Sequence, residues 1–528
     1  MRTMTTPRWA RPFPPNWRRP RNASPRCHDA CDQASGTVPV FRRTSCPTLF
    51  GESRSTVNLP LPASRQLAWH ELEYYCFIHF TTNTFTDKEW GFGDESPSLF
   101  NPTDFDADDM VTIVREAGMK GLILTCKHHD GFCLWPSRVT EHSVARSPFR
   151  NGEGDVVFEL SDACCRHGIR FGIYLSPWDR NHAQYGSPAY IEYFRQQLHE
   201  LTTEYGEIFE VWFDGANGGD GYYGGANETR SIDRTTYYDW DNTRQIVRDN
   251  QPQTVMFSDA GPDVRWVGNE KGIAGDPCWS TINQELIFPG IDPASFEARL
   301  TQKRETGDMV DTWDSPTQLL NCGDRNGADW LPAEADVSIR PGWFFHSSEN
   351  DRVRTPENLF DLYLKSVGRG TSLLLNLPPD RRGRIHEIDQ ESLMGFKALR
   401  EAMFASDCIS AATVLADSGR VEDLLEEASW LQAESDHLTL TCTFTESQSV
   451  GIVGLREQIH LGQRVDSWSI EVHTDQGWRK VKQGEAIGNR RLIDIGHQRI
   501  DGVRICILGR VAPAIRELAL YDHPLRAS

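Results

Sequence analysis

Between about residue 60 and residue 380, the hydrophobic pattern repeats one unit: a short apolar run, a loop, and a helix with a single apolar stripe. A short, nearly continuous apolar run is typical of a parallel strand that is buried on both faces. The runs that predict such strands are residues 74–80, 121–126, 170–175, 208–213, 254–258, 337–345 and 372–377. Strands that alternate with helices predict a parallel sheet, and a strand count near eight favours a closed (β/α)₈ TIM-like barrel.

The pattern changes after residue 405, where short strand-like runs follow one another with turn signals between them. The strands predicted there are residues 438–444, 449–455, 467–474, 491–495, 502–508 and 514–521. This spacing is typical of an antiparallel β-sandwich. We therefore expect a barrel domain at residues 56–405 and a β-sandwich domain at residues 406–528.

Residues 1–55 differ from the rest of the chain, because they are rich in arginine and proline and contain no apolar stretch typical of a secretory signal. Such a composition cannot bury enough apolar surface to offset the entropy of ordering, so we expect disorder in this segment. Both a targeting segment and an extended start are compatible with its composition.

The net charge of −20 is unevenly distributed: residues 1–54 contain ten arginines and three acids, so the rest of the chain carries −27. An acidic body repels phosphate backbones, which argues against nucleic acid as a partner. No apolar run approaches the roughly 18 residues that a membrane span needs. A neutral or weakly charged substrate fits this composition best.

The thirteen cysteines are scattered along the chain, and none of them forms a pair or cluster with the spacing of a zinc site. Scattered cysteines inside predicted strands and helices are usually small buried hydrophobes with free thiols. Free thiols favour a reducing compartment, so the cytoplasm is the expected location.

Polar and aromatic residues gather at the ends of the predicted strands, and Asp214 directly follows the apolar run 208–213. In a barrel of this kind, the carboxyl ends of the strands form the active site. A sugar suits such a site, because its hydroxyl groups need paired donors and acceptors and its C–H faces stack on indole rings. Glycoside hydrolysis needs two carboxyl groups, which Asp214 and Glu270 could supply. The other candidates at strand ends are His79, Glu89, Trp90, His128, His129, Tyr174, Trp178 and Asp179.

Each candidate also has a simpler interpretation. An Asp-Gly pair such as the one at Asp214 is a turn signal, Glu270 is compatible with a loop acid, and Trp212 with a core position. His128 and His129 are compatible with structural histidines or with metal ligands. A metal-dependent barrel hydrolase is therefore a second enzymatic hypothesis. Its ligands would be His79, His128, His129 and Asp214.

Several motifs occur together, in one order along the chain. They are Phe77-Ile78-His79-Phe80, Glu89-Trp90-Gly91, Lys127-His128-His129-Asp130-Gly131, Tyr174-Leu175-Ser176-Pro177-Trp178, Val211-Trp212-Phe213-Asp214-Gly215, Arg265-Trp266-Val267-Gly268-Asn269-Glu270 and Arg340-Pro341-Gly342-Trp343. From about residue 60 to the C-terminus, the chain resembles the α-L-fucosidases of glycoside hydrolase family 29. The last two motifs resemble in particular the branch that acts on α-1,3/1,4-linked fucose.

The resemblance implies a retaining exo-α-L-fucosidase with Asp214 as the nucleophile and Glu270 as the general acid/base. The fucose contacts that it implies are His79, Glu89, Trp90, His128, His129, Tyr174, Trp212 and Trp343. It implies no metal or organic cofactor, a fucosylated oligosaccharide or glycoconjugate as the substrate, and a C-terminal domain similar to galactose-binding folds. A fucose-binding protein that has lost catalysis is the alternative outside enzymes, and the presence of both Asp214 and Glu270 argues against it.

Overall fold

The computed structural model describes residues 58–214, 221–230, 232, 237–258, 261–287, 317–425 and 429–526. The N-terminal segment for which we expect disorder, residues 1–55, lies outside these residues. Within the described ranges, no helix combines the length and the apolar character that a membrane crossing requires.

The strands of the described chain fall into a barrel set, a C-terminal set and two short hairpin-like pairs. In chain order they are β1 (Tyr74–Ile78), β2 (Gly121–Lys127), β3 (Arg170–Leu175), β4 (Glu210–Trp212), β5 (Gly221–Tyr223), β6 (Glu228–Arg230), β7 (Val255–Ser258), β8 (Val264–Trp266), β9 (Thr281–Ile282), β10 (Asp329–Trp330), β11 (Ala333–Ser338), β12 (Ser372–Asn376), β13 (Ala412–Ala416), β14 (Leu431–Gln432), β15 (His437–Glu457), β16 (Val465–Thr474), β17 (Gly477–Glu485), β18 (Arg491–Gly509) and β19 (Ala514–Tyr521).

Eight of these strands close into a barrel in the order β1, β2, β3, β4, β7, β8, β11 and β12, and β12 pairs back onto β1. Every neighbouring pair in the barrel is parallel. Because neighbours in the barrel are also neighbours in chain order, the predicted (β/α)₈ architecture is confirmed.

Helices precede, connect and follow the barrel strands; most of those between the strands pack on their outer side, and the last helix, Val421–Leu425, lies in the C-terminal domain. In chain order they are α1 (Ser64–His70), α2 (Thr82–Thr86), α3 (Ala107–Glu116), α4 (Val156–His167), α5 (Pro188–Glu204), α6 (Trp240–Asn250), α7 (Thr317–Cys322), α8 (Pro356–Lys365), α9 (Glu387–Ala405) and α10 (Val421–Leu425). Aspartate side chains cap the N-termini of α3 and α4. The Asp106 carboxylate accepts a hydrogen bond from the amide of Asp109, and the Asp155 carboxylate accepts one from the amide of Phe158. Gly168 ends α4 at φ 69°, a conformation that favours glycine.

Successive residues of the barrel strands pack on opposite sides. In β1, Tyr75 and Phe77 belong to the cluster inside the barrel, whereas Tyr74, Cys76 and Ile78 pack in the layer between strands and helices. Both sides are buried, which is why the strand reads as a continuous apolar run rather than as an alternating one.

The strand predicted at residues 337–345 is wrong in position, because β11 ends at Ser338. Pro341 has no amide hydrogen for a sheet ladder. The amides of Trp343 and Phe344 donate to the Glu89 carboxylate instead of to a strand. Residues 339–345 therefore form a loop at the carboxyl end of β11.

Strand β8 was not predicted, because it has three residues and the middle one is Arg265. The Arg265 side chain is fully buried, and its guanidinium donates to the carbonyl oxygens of Leu320 and Trp279, both at 2.9 Å. These bonds offset the cost of removing the charge from water, so an arginine occupies a strand position that the apolar pattern excludes.

Beyond α9, the chain forms an antiparallel sheet in the order β14, β19, β15, β18, β16 and β17, with β13 paired to β15. The predicted runs 438–444 and 449–455 are one strand, β15, with a register shift between Thr443 and Gln448. The runs 491–495 and 502–508 are likewise one strand, β18. The antiparallel second domain is thus confirmed, with longer strands than predicted.

The sheet domain meets the barrel next to the start of β1, where Glu73 lies buried among arginines. Arg490 Nε lies 2.8 Å from Glu73 Oε1, Arg456 pairs with the same oxygen, and Arg490 also reaches Glu517 at 3.2 Å. Burial alone would raise the pKa of Glu73, but the two arginines hold it below its usual range. We call Glu73, Arg456, Arg490 and Glu517 the basal cluster.

Candidate active site

The carboxyl ends of the barrel strands surround an open cavity of about 550 Å³, its mouth included. The candidates that line this cavity are His79, Glu89, Trp90, His128, His129, Trp212, Asp214, Glu270 and Trp343. Tyr174 donates a hydrogen bond to Asp214, and Trp178 packs on His129 and Trp90 beside the cavity. Asp179 is fully buried, pairs with Lys127 at 3.1 Å and does not line the cavity. The structure therefore brings all of the candidates except Asp179 to the cavity or directly beside it, although their individual roles stay predictions.

Asp214 follows β4 by two residues, and its side chain is 12% exposed. Tyr174 Oη donates to Asp214 Oδ2 at 2.7 Å, and His129 Nε2 lies 3.6 Å from the same oxygen. Burial and the Asp214 charge raise the pKa of Tyr174 far above its ordinary value, so its proton stays in place and points at the carboxylate. This contact orients the Asp214 carboxylate and limits its rotation.

His79 follows β1 and is oriented by an amide. Asn376 Nδ2 donates to the carbonyl oxygen of Trp343 at 2.8 Å, which turns Asn376 Oδ1 towards His79 Nδ1 at 2.9 Å. His79 Nδ1 therefore carries a hydrogen. Burial lowers the pKa of His79 to about 3, so the ring is neutral at pH 7 and Nε2 is left as an acceptor.

His129 is oriented by a hydroxyl group in a similar way. Ser176 Oγ donates to the carbonyl oxygen of Trp178 at 2.8 Å, so it accepts the hydrogen of His129 Nδ1 at 2.7 Å. Burial, reinforced by His79, Arg180 and Lys127, lowers the pKa of His129 well below its ordinary value, and burial beside His129 and His79 does the same for His128. The cavity wall thus presents neutral imidazoles, which suit uncharged hydroxyl groups better than anions.

Glu89 reaches the cavity from the loop after α2 and connects it to the loop after β11. Its carboxylate accepts from the amides of Trp343 at 2.8 Å and Phe344 at 3.2 Å. His346 Nε2 lies 2.7 Å from Glu89 Oε1, while His346 Nδ1 lies 2.7 Å from Asp87. Burial opposes the charged form, but these two carboxylates raise the pKa of His346. Glu89 is therefore held by both backbone and side-chain donors.

Aromatic rings form the apolar part of the wall. Trp212 stacks on Phe257 with ring centroids 4.1 Å apart and on Tyr174 at 5.3 Å. The Trp212 indole donates to Glu334 Oε1 at 2.7 Å. Trp343 packs on the His79 ring at 5.1 Å. Rings fixed in this way offer flat faces to the C–H groups of a ligand.

Glu270 lies on the outer part of the cavity, in an exposed position. It follows β8 in a turn that Asn269 closes, since Asn269 Oδ1 accepts from the Lys271 amide at 3.1 Å and Asn269 Nδ2 donates to Ile273 at 2.9 Å. Glu270 therefore lies in a hydrogen-bonded turn and not on a strand. This is why its sequence context alone is compatible with an ordinary loop acid.

Asp336 on β11 is a cavity residue that the sequence reasoning missed. It is buried, and it accepts a hydrogen bond from the Trp266 indole at 2.9 Å. Burial, followed by the nearby Glu270 charge, raises the pKa of Asp336 well above its usual value. Its signal is the alternation Glu334, Asp336, Ser338, which marks the inner side of the strand. Phe77, Phe257 and Trp266 also line the cavity without having been predicted.

The metal hypothesis has a geometric basis in part. Among the described residues, His128, His129 and Asp214 offer ligand atoms that all lie within 4.8 Å of one another. His79, the fourth predicted ligand, is not in this group. Neutral imidazoles and a carboxylate suit zinc, and because Tyr174 already donates to Asp214 Oδ2, a cation at that oxygen would share it with this hydrogen bond.

Comparison with known proteins connects this geometry to a family. Residues 63–274 match the family model described as Alpha-L-fucosidase. Over 476 residues the chain is 42% identical to Alpha-L-fucosidase 1 of Arabidopsis thaliana, which covers 87% of this chain and 85% of that protein.

Solved structures give the same result. A glycoside hydrolase 29 family member from an unknown rumen bacterium superposes with a TM-score of 0.76 at 40% identity, covering 88% of this chain and 78% of that one. A Ruminococcus gnavus GH29 fucosidase, solved in complex with fucose, has a TM-score of 0.75 at 28% identity, with 88% and 95% covered. The chain therefore belongs to the α-L-fucosidases of glycoside hydrolase family 29.

Proposed function

We propose that this α-L-fucosidase releases terminal fucose with retention of configuration, in two displacements. In the first, an Asp214 oxygen attacks the anomeric carbon while Glu270 gives its proton to the departing glycosidic oxygen. In the second, Glu270 takes a proton from water, and the oxygen of that water replaces Asp214 at the same carbon. Two inversions leave the released fucose in its original α configuration.

One arrangement carries this proposal: two carboxyl groups in contrasting surroundings line the same cavity. Asp214 is largely buried and receives the Tyr174 hydroxyl, as suits a permanently charged nucleophile. Glu270 is exposed, as suits a group that must deliver a proton to a leaving group and then exchange with water. The neutral histidines and stacked indoles between them suit the hydroxyl groups and C–H faces of one sugar ring.

For the linkage, we propose α-1,3/1,4-linked fucose at the non-reducing ends of oligosaccharides or glycoconjugates. The support is the resemblance of Arg265–Glu270 and Arg340–Trp343 to that branch of the family, and both segments reach the cavity. Incubation with a branched α-1,3/1,4-fucosylated oligosaccharide and with an α-1,2-linked one tests this. Release of fucose from the first substrate at a much higher rate is expected, and equal rates would contradict it.

The roles of the two carboxyl groups can be separated by their stereochemistry. With azide and an activated aryl α-fucoside, Asp214→Ala should form β-fucosyl azide, because the small anion takes the place of the missing nucleophile in a single displacement. Glu270→Ala should form α-fucosyl azide, because Asp214 still acts first and azide attacks second. Proton NMR distinguishes the two products. The same anomer from both variants, or rescue of neither, would contradict the assignment.

A further inference from the structure

Three large aromatic side chains beside the cavity are unusually exposed. Trp90 is 47% exposed, Phe92 43% and Tyr222 38%, although rings of this size are normally buried in folded proteins. Trp90 lines the cavity, whereas Phe92 and Tyr222 lie outside it. Exposed aromatic rings grouped at the edge of a binding site usually mark a surface that contacts a ligand. We call Trp90, Phe92 and Tyr222 the aromatic shelf.

The shelf is connected through two buried residues. Trp90 packs edge-to-face on Trp178 with centroids 5.4 Å apart, and Phe92 packs on Tyr222 at 6.3 Å. The Arg180 guanidinium lies over both the Trp178 ring, at 5.4 Å, and the Phe92 ring, at 4.8 Å. A continuous set of contacts therefore runs outward from the cavity wall to Tyr222.

Backbone hydrogen bonds fix the two segments that carry the shelf. Arg180 donates to the carbonyl oxygen of Gly91 at 2.7 Å and to that of Tyr222 at 2.8 Å. The Gly224 amide, in the turn between β5 and β6, donates to the carbonyl oxygen of Phe92 at 2.7 Å. The exposed rings are thus held in place before any ligand arrives, which reduces the entropy lost on binding.

We propose that the aromatic shelf binds the saccharide to which fucose is attached, so that the site takes oligosaccharides rather than fucose alone. This inference rests on the proposed function, because fucose in the cavity must leave its attached sugar at the mouth. Two features favour a saccharide as the occupant: the shelf begins with a cavity residue, and it carries polar groups beside its rings. One of them is the Tyr222 hydroxyl, which donates to Asn227 Oδ1 at 3.0 Å. Pyranose rings use both kinds of contact.

The test compares two substrates with different leaving groups in Phe92→Ala and Tyr222→Ala. For a branched fucosylated oligosaccharide, we expect kcat/KM to fall about 3- to 10-fold in each variant, as for the loss of one aromatic contact. For α-L-fucosyl fluoride, which has no leaving saccharide, kcat/KM should stay within about twofold of the parent. Tyr222→Phe keeps the ring and removes only the hydroxyl, so its kcat/KM for the oligosaccharide should fall less than that of Tyr222→Ala. Phe158→Ala on α4 removes a ring of similar exposure, 42%, and should change neither substrate.

A binding measurement tests the aromatic shelf independently of hydrolysis. Titration with the fucose-free saccharide, followed by ligand-observed NMR, should show weaker binding to Phe92→Ala and Tyr222→Ala than to the parent and to Phe158→Ala. Equal binding to all four proteins, or an equal fall in kcat/KM for the oligosaccharide and the fluoride, would overturn the proposal that the aromatic shelf binds the saccharide. Failure of the parent to hydrolyse the fluoride would overturn the proposed function, and the titration would still decide the shelf.

Discussion

Buried carboxyl groups at the two ends of the barrel have pKa values that are shifted in opposite directions. At the base, Glu73 pairs with Arg456 and Arg490, and its pKa lies below the usual range. At the mouth, Asp336 accepts a hydrogen bond from the neutral Trp266 indole and lies near Glu270, so burial and like charge raise its pKa. Both groups are buried, and the difference lies in the charge of their neighbours.

This difference separates stability from chemistry. A carboxylate paired with arginine stays charged, and its removal leaves a buried cation without a partner. A buried carboxyl group beside another acid can hold a proton closer to neutral pH, which is what acid/base catalysis requires. Substitutions at the mouth should therefore change rates, and substitutions at the base should change the free energy of unfolding.

The largest effect is expected at Asp214. Asp214→Asn removes the nucleophile, so kcat/KM for a fucosylated substrate should fall by about 10⁴-fold or more. The amide oxygen still accepts the Tyr174 hydrogen bond, so the free energy of unfolding in urea should change by less than about 1 kcal/mol. If Asp214→Asn lost several kcal/mol of stability, or kept the parent's rate, the proposed division between catalysis at the mouth and stability at the base would be wrong.

The opposite result is expected at the base. Glu73→Gln removes one of the two carboxylates that Arg456 and Arg490 share and leaves Glu517 as the other, so the free energy of unfolding should fall by about 2–3 kcal/mol. The kcat of the folded fraction should stay within about twofold of the parent. As a matched control, Glu71→Gln removes an exposed carboxylate that pairs with Arg516 at 2.9 Å, and it should cost less than about 1 kcal/mol.

A comparison of the parent with Glu73→Gln also gives a pH test. Because folding lowers the pKa of Glu73 below 4.5, its stabilising contribution is fully present above that pH and is lost as the pH falls through the folded-state pKa. The parent should therefore lose stability on acidification below about pH 4.5, and Glu73→Gln should lack this part of the loss. Parallel stability–pH curves for the two proteins would show that Glu73 carries no such linkage.

The sequence predicted the barrel well where strands are long and apolar on both sides, as in β1, β2, β3 and β12. It failed at β8, because the buried charge at Arg265 is satisfied by carbonyl groups of a distant helix and a distant loop, which no local pattern shows. It also missed β17, whose positions are mostly exposed or half-buried and carry polar side chains. Hydrophobic periodicity reports the burial of apolar residues. It therefore cannot detect a strand that buries a charged side chain, as β8 does, or one that leaves most of its positions exposed or half-buried, as β17 does.

The candidate site followed from a simpler rule, that polar residues at strand ends meet at one mouth. That rule located Asp214 and His79 but could not supply their partners. Asn376, which orients His79, lies on another strand and belongs to no motif, and Ser176, which orients His129, stands in a motif but was not a site candidate. Asp336 was missed because its direction depends on the register of β11, which only the folded barrel defines.

Asp336 offers a smaller effect that sharpens the comparison. Asp336→Asn keeps an acceptor for Trp266 but removes a carboxyl group that, once it ionises, adds a charge near Glu270. Because repulsion between two carboxylates is mutual, a proton on Glu270 should be lost more easily without that charge. The basic limb of the kcat/KM profile should then move to lower pH, with little change at its maximum. An unchanged limb would show that the two groups are not coupled in the reaction.

The smallest effect is expected from metal removal. His128, His129 and Asp214 are close enough to hold a cation, yet the proposed mechanism uses Asp214 as a nucleophile that Tyr174 orients. Dialysis against a chelator should therefore leave kcat and KM unchanged, and added zinc should inhibit, since a cation at Asp214 blocks its attack on the sugar. Loss of activity on chelation, with recovery on adding metal, would show that the mouth is a metal centre and that its carboxyl groups act as ligands rather than as a catalytic pair.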